Sequence, residues 1–203
     1  MARPREFDEA VVLDAAMNRF WAQGYELTSV RDLAASMGIT GASLYNAFGD
    51  KRSLYRRALD HYVERSVRDR IVRLSKLPPL PGVQAFFDEI IERSMGDPDC
   101  RGCLLVNASM EMAPNDAEFR TAVIREVGSI KAFFHRCVMA GQKDGTVTKS
   151  QSADALAALL LSTLLGLRVM ARTHRERDTL EAPVKAVIGL LTRSRPASQA
   201  GTA

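Results

Sequence analysis

Between Thr28 and Lys51 the chain carries two short apolar-striped segments split by one glycine, and no other feature constrains its fold as tightly. Val30, Leu33, Ala34 and Met37 fall at i, i+3, i+4 and i+7, so one face of the first segment is apolar and must pack. Gly38 breaks that pattern. Glycine takes the positive backbone angle that turns a chain out of a helix, and Thr40 next offers a hydroxyl suited to capping a new one. The second segment needs only Leu44 and Phe48 on its buried side, with Ile39 plugging the turn. Thr40, Gly41, Ser43, Tyr45 and Asn46 are left on an outer face that is small, polar and hydrogen-bonding. A helix aimed this way is the reading element of a helix-turn-helix, which enters the major groove and meets base edges and phosphates. The same spacing also fits ordinary packing of two short amphipathic helices. The polar outer face, Tyr45 upon it and Lys51 directly after Gly49 and Asp50 favour the DNA reader.

Lys51 stands where a helix should begin, and free amides and the helix dipole favour a phosphate there. Thr28 and Ser29, at the start of the preceding helix, offer hydroxyls to the same DNA backbone. Each of these polar residues also has a capping role open to it; Ser29 and Asp32 have the spacing of a capping box.

At these residues the chain resembles the TetR family of bacterial transcriptional regulators, through Gly38-Ile39-Thr40, Leu44-Tyr45, Phe48 and Lys51. The resemblance extends to a preceding apolar-faced helix with Leu13, Ala16 and Phe20, ending in Gly24-Tyr25, and to a long helix from Lys51 to about Leu74. It is strong over the first quarter of the chain and architectural beyond. Gly41 departs from the longer polar or basic side chain common there, and Ala47 from an aromatic or histidine, so base readout leans on Ser43, Tyr45 and Asn46.

Composition agrees. With 28 Lys+Arg against 24 Asp+Glu in 203 residues, the net charge of +4 suits a protein touching DNA through a few phosphates without identifying one. Arg3 and Arg5 form a short basic arm that either reaches a groove or frays. The start carries no signal-peptide pattern, and the expected location is the cytoplasm. The most apolar run, Ala155 to Leu167, is short for a membrane span and reads as a buried helix. Three cysteines argue against a secreted disulfide scaffold.

The expected architecture is all-α with about nine helices: a three-helix DNA-binding domain over 1–50, a connecting helix over 51–76, a helical ligand-binding and dimerisation domain over 77–195, and a flexible tail over 196–203. The prolines of Leu77 to Gly82 mark a boundary. Beyond it helices are expected near Val83 to Met95, Gly102 to Met112, Asp116 to Gln142, Ala153 to Arg172 and Leu180 to Thr192. Asn115 and Ser152 are candidate caps, and Pro183 is expected in the first turn of the last helix. Phe86, Phe87, Ile90, Met95, Leu104, Met110, Met112, Phe119, Val123, Phe133, Phe134 and Met139 supply the core between.

The helix from Ala153 is apolar on more than one face. Small residues Ala157, Ala158, Ser162 and Gly166 admit a close neighbour, and with Val184, Val187, Ile188 and Leu191 they read as half of a bundle completed by a second copy. Burial inside one chain is the plainer alternative. The resemblance favours a homodimer through these last two helices, reading a pseudo-palindromic operator. It also implies a small-molecule inducer in the body, whose candidate contacts are Phe86, Cys103, Asn107, Met110, Glu111, Phe134 and Arg168. Inducer binding would then separate the two reading heads and release DNA.

Cys100-Arg101-Gly102-Cys103 has spacing open to a redox disulfide or half a metal site, with His135 and Cys137 ligands by type only. Related regulators often begin this helix with Gly-Cys-Leu, as Gly102-Cys103-Leu104 does. Cys103 is either a small apolar residue opening a packed helix or, by oxidation or electrophile attack, a switch. No catalytic constellation, cofactor motif or complete metal site is present; a helical enzyme using Glu111 and His135 is the rival from another class.

Overall fold

The computed structural model describes residues 7–174 and 176–192, and the basic arm and the tail lie outside them. Among the described residues the chain forms nine helices joined by short turns, with one isolated bridge between Val147 and Thr192.

Local chemistry sets the first three. Helix α1, Glu9–Gln23, opens on Asp8, whose carboxylate accepts from the Ala10 amide, and closes at Gly24 with φ +80°. Helix α2, Val30–Met37, begins with the expected Ser29–Asp32 capping box and ends on Gly38 in the left-handed region, φ +65°. Helix α3, Gly41–Phe48, is capped by Thr40 and buries only Leu44 and Phe48. The three enclose Phe20, Leu33 and Leu44, all fully buried.

Lys51–Val63, a π-helical turn Glu64–Arg68 and Asp69–Leu74 follow one another as a single helix, α4. Its Tyr55 and Tyr62 pack edge-on to Phe20 and Trp21 of α1, with ring centroids 4.7 and 5.1 Å apart. Helix α5, Pro79–Met95, starts earlier than expected. Its prolines Pro79 and Pro81 sit in the first turn, where a missing amide hydrogen costs nothing.

Helix α6 is Leu104–Glu111, α7 Ala117–Asp144, α8 Ala153–Met170 and α9 Arg177–Leu191. Asp116, not Asn115, caps α7, accepting from the Glu118 and Phe119 amides. Ser152 caps α8 as expected. Pro183 lies inside α9 and not in its first turn, because the helix begins at Arg177, whose guanidinium is held by Glu92 and Glu181.

The expected core is largely present around Phe86, Phe87, Phe133 and Phe134, whose rings contact one another. Met95, Met110 and Met139 are instead exposed. Met110 projects from the side of α6 opposite Leu104, Leu105 and Ala108, and Met139 follows buried Val138 by a third of a helical turn. Helix α8 extends the apolar run to 18 residues of mean hydropathy 1.7, a length and composition that pass for a membrane span and are shared by core helices of soluble proteins. Here it packs against α7 and α9.

Candidate DNA-reading surface and regulatory cavity

On α3 the buried side is Leu44 and Phe48, so the opposite side is presented outward. Tyr45 is 52% exposed and Asn46 is exposed beside it, and among the described residues neither side chain is held by a hydrogen bond. The Thr40 hydroxyl accepts from the Ser43 amide at 3.1 Å and lies 2.9 Å from the Ser43 hydroxyl, which fixes both at the first turn. Gly41 has open space where a Cβ would stand, so nothing within the fold demands its smallness. Ser29 is exposed at the start of α2, its hydroxyl donating to Asp32.

Lys51 opens α4 as expected. Its ammonium lies 4.3 Å from the Tyr25 ring centre and 3.4 Å from the Glu26 carbonyl oxygen. Thr28 departs from the expected surface: it is fully buried and its hydroxyl donates to the Gly24 carbonyl at 2.6 Å, so it fastens the α1–α2 turn and cannot reach DNA.

An apolar cavity of about 30 Å³ opens between α4, α5, α6, α7 and α8. Phe86, Cys103 and Arg168 of the expected ligand set line it, together with Ile90, Val127 and Leu164. Asn107, Met110, Glu111 and Phe134 do not. Asn107 donates to the Arg101 carbonyl and accepts from Arg172; Met110 faces outward; Phe134 is locked in the aromatic cluster. Glu111 points the other way, its carboxylate accepting from the Tyr25 amide at 2.9 Å. Neither Glu111 nor His135 lines this cavity, so the two do not meet there as an acid–base pair.

Cys103 and Arg168 meet at its polar end. The Tyr62 hydroxyl donates to the Cys103 sulfur at 3.4 Å and accepts from Arg168 at 3.2 Å; Arg168 also donates to the Gly102 carbonyl at 2.8 Å. Burial pushes the Cys103 thiol up, but the Arg168 charge, the Tyr62 hydroxyl and the Val106 amide together bring it below its ordinary value. Burial, reinforced by the nearby sulfur, raises the Tyr62 phenol to about 12. Cys137 lies near Gly82, apart from Cys103, and burial raises its thiol.

Sequence reasoning missed the contacts that tie the reading helices to the body. Arg52 of α4 donates to both oxygens of Asp116, at 2.6 and 3.0 Å, and to Glu118 at 2.6 Å. The Trp21 indole donates to the Arg101 carbonyl at 3.1 Å, and Arg101 reaches Asn18. The only advance signal for these was the chain's lone tryptophan, placed among the apolar positions of α1.

Residues 12–58 match the family model for bacterial regulatory proteins of the tetR family, and residues 79–187, more than half of the chain, match the tetracyclin repressor-like C-terminal domain. This chain belongs to the TetR family of bacterial transcriptional regulators. Among its TetR-family relatives, the uncharacterized HTH-type transcriptional regulator YezE of Bacillus subtilis (strain 168) is 30% identical over 198 residues, 94% of this chain and 100% of the relative. The HTH-type transcriptional repressor DhaR of Mycobacterium sp. (strain GP1) is 27% identical over 165 residues, covering 80% of this chain and 81% of DhaR. A cysteine-substituted form of the regulator CifR, solved in complex with 26-base-pair double-strand operator DNA, superposes with a TM-score of 0.81 at 34% identity, covering 92% of this chain and 98% of that one.

Proposed function

We propose that this TetR-family regulator acts in the cytoplasm as a homodimeric repressor, with no enzymatic role, released from a pseudo-palindromic operator by a small molecule bound in its helical body. The carrying observation is the α3 face, on which Tyr45 and Asn46 stand exposed and unheld beside a capped first turn. Ser29, Thr40, Gly41, Ser43, Tyr45, Asn46 and Lys51 form the DNA-facing set, with residues 1–50 as reading unit and 77–195 as regulatory unit. The repressor DhaR and the operator-bound CifR support the assignment.

Dimerisation has its own support. Among the α8 residues, Ala158, Ser162 and Gly166 are exposed at i, i+4 and i+8, flanked by exposed Leu159 and Val169. On α9, Ala186, Gly189 and Leu190 are exposed, and a Cβ at Gly166 or Gly189 would meet open space. The partner-facing residues differ from those read in the sequence: Ala157, Val184, Val187 and Leu191 are buried in their own chain. Only 33% of α8 is buried, and a second copy laid along α8 and α9 would cover the remaining apolar stripe.

Selection of bound DNA from a random library, followed by a small-molecule release screen, tests this reading. A two-half-site sequence bound in a salt-dependent manner is expected. A dimer that enriches no sequence would overturn the assignment.

A second reading rests on the Cys103 environment. A buried thiol brought down by Arg168 beside a cavity is suited to attack an electrophilic carbon or to be oxidised, releasing DNA. Cys103→Ser should then abolish release by electrophiles while leaving operator binding intact; unchanged release removes the thiol from the switch.

A further inference from the structure

A second cavity, of about 140 Å³, lies where α1 meets the body, with Trp21, Ser94, Asp97 and Gly102 on its walls together with the guanidinium groups of Arg93, Arg101 and Arg168. Its charges do not balance. Asp97 is taken up by Arg101, accepting from its Nε at 3.0 Å and its amide at 2.7 Å. Arg168 is only 4% exposed, yet its hydrogen bonds end on Ser94, Tyr62 and Gly102, with the Cys103 thiol as its other polar neighbour, and among the described residues no carboxylate pairs with it. Arg93 is exposed at the mouth. It donates to the Ser66 hydroxyl at 2.9 Å, stacks 5.3 Å from Trp21, and likewise pairs with no carboxylate among the described residues.

A buried guanidinium without a counter-charge is costly, and a planar carboxylate is the group its fork of donors fits best. We infer that this cavity is a binding site for a small organic carboxylate of about benzoate size, its anionic end between Arg168 and Arg93 and its apolar part against Trp21. The size follows from the volume, since a cavity of about 150 Å³ accepts a benzene-sized guest. Arg93 and Arg168 also line the apolar cavity beside Phe86 and Ile90, so the two cavities adjoin at these side chains. The inference deepens the proposed function by naming the inducer class, and rests on it for the effect on DNA. Trp21 belongs to α1, which packs on α2 and α4, so a ligand here bears directly on the reading unit.

Trp21 is the only tryptophan in the sequence, so its fluorescence reports occupancy without DNA present. Benzoate titrated into the full-length protein should give a saturable change. Benzyl alcohol, of similar shape without charge, and sulfate, charged without an apolar body, should bind at least about tenfold more weakly, the loss expected when a charged group goes unmatched. Arg93→Gln at the exposed mouth should fold normally and weaken benzoate about tenfold. Cys103→Ser should keep benzoate binding, which separates this site from a thiol switch. Benzyl alcohol or sulfate matching benzoate, absence of a saturable benzoate signal, or unchanged binding by Arg93→Gln overturns the carboxylate site. Operator binding measured on the same preparation keeps the outcomes apart: benzoate failing while DNA is bound sinks this inference alone, and DNA failing to bind sinks the regulator.

Discussion

Tyr45 is large, half exposed and free of hydrogen bonds on a helix whose other large side chains, Leu44 and Phe48, are buried. Its removal should therefore act on DNA and spare the fold. Tyr45→Ala is expected to lower operator affinity by about 1–3 kcal/mol, the range for a lost base or phosphate contact, while thermal unfolding shifts by no more than a surface substitution of about 0.5 kcal/mol allows. Equal affinity in a folded Tyr45→Ala dimer contradicts the assignment. Lys51→Ala should weaken binding to all sequences alike and lower the salt slope by about one, measured as affinity against salt concentration. Thr28→Ala belongs to another class. Its hydroxyl is buried on the Gly24 carbonyl, so the loss should appear as about 1 kcal/mol of stability with no change in salt slope.

At the scale of elements, α4 is the part to which both units attach. Its π-helical turn Glu64–Arg68 lies beside the apolar cavity: Ser66 and Val67 line it, and Ser66 accepts from Arg70 and Arg93. One extra residue in such a turn rotates the following apolar stripe by about 100°, and the sequence reading of Lys51 to about Leu74 as one helix did not register that offset. At the other end, Arg52 clamps α4 onto the α7 cap. The Arg52 guanidinium, outweighing the small cost of burial, holds Asp116 at about 2, below its ordinary value of 3.8. A depressed carboxylate contributes stability that is fully present above 3.8 and is lost as pH falls through about 2. Asp116→Asn keeps the helix cap and loses the charge, so the gap in melting temperature between wild type and variant should narrow across that window. A gap constant with pH would show that the pair contributes nothing.

Across the whole molecule, the proposed regulation rests on two sets of contacts. One is internal: Glu111 accepts from the Tyr25 amide, and a Cβ at Gly24 would fall 2.6 Å from that carboxylate at a φ of +80°. The other is the exposed stripe of α8 and α9. Leu190, in the last turn of α9 and 65% exposed, is the most exposed large apolar side chain of that stripe. Leu190→Glu should leave the helical content intact, shift the molecule to monomers in analytical ultracentrifugation, and weaken operator binding with the loss of two-site attachment. A Leu190→Glu protein that remains dimeric places the interface elsewhere.

The helix-turn-helix was legible because its signals are local: Gly38 needs a positive φ, Ser29 and Thr40 cap within three residues, and Leu44 and Phe48 share a face by spacing alone. The all-helical class followed from the same periodicity over longer stretches. Partners distant in sequence were not legible. Nothing near Arg168 indicates that it is buried against Tyr62, nothing near Thr28 shows that its turn will be buried, and nothing near Glu111 or Val184 shows which side of its helix the body will cover. Sequence by itself determined the elements and which face of α3 is exposed, since hydrogen bonding and capping act over a few residues. The cavity beside Trp21, the clamp at Asp116 and the exposed stripe of α8 and α9 were decided only when packing brought distant charges and apolar faces together.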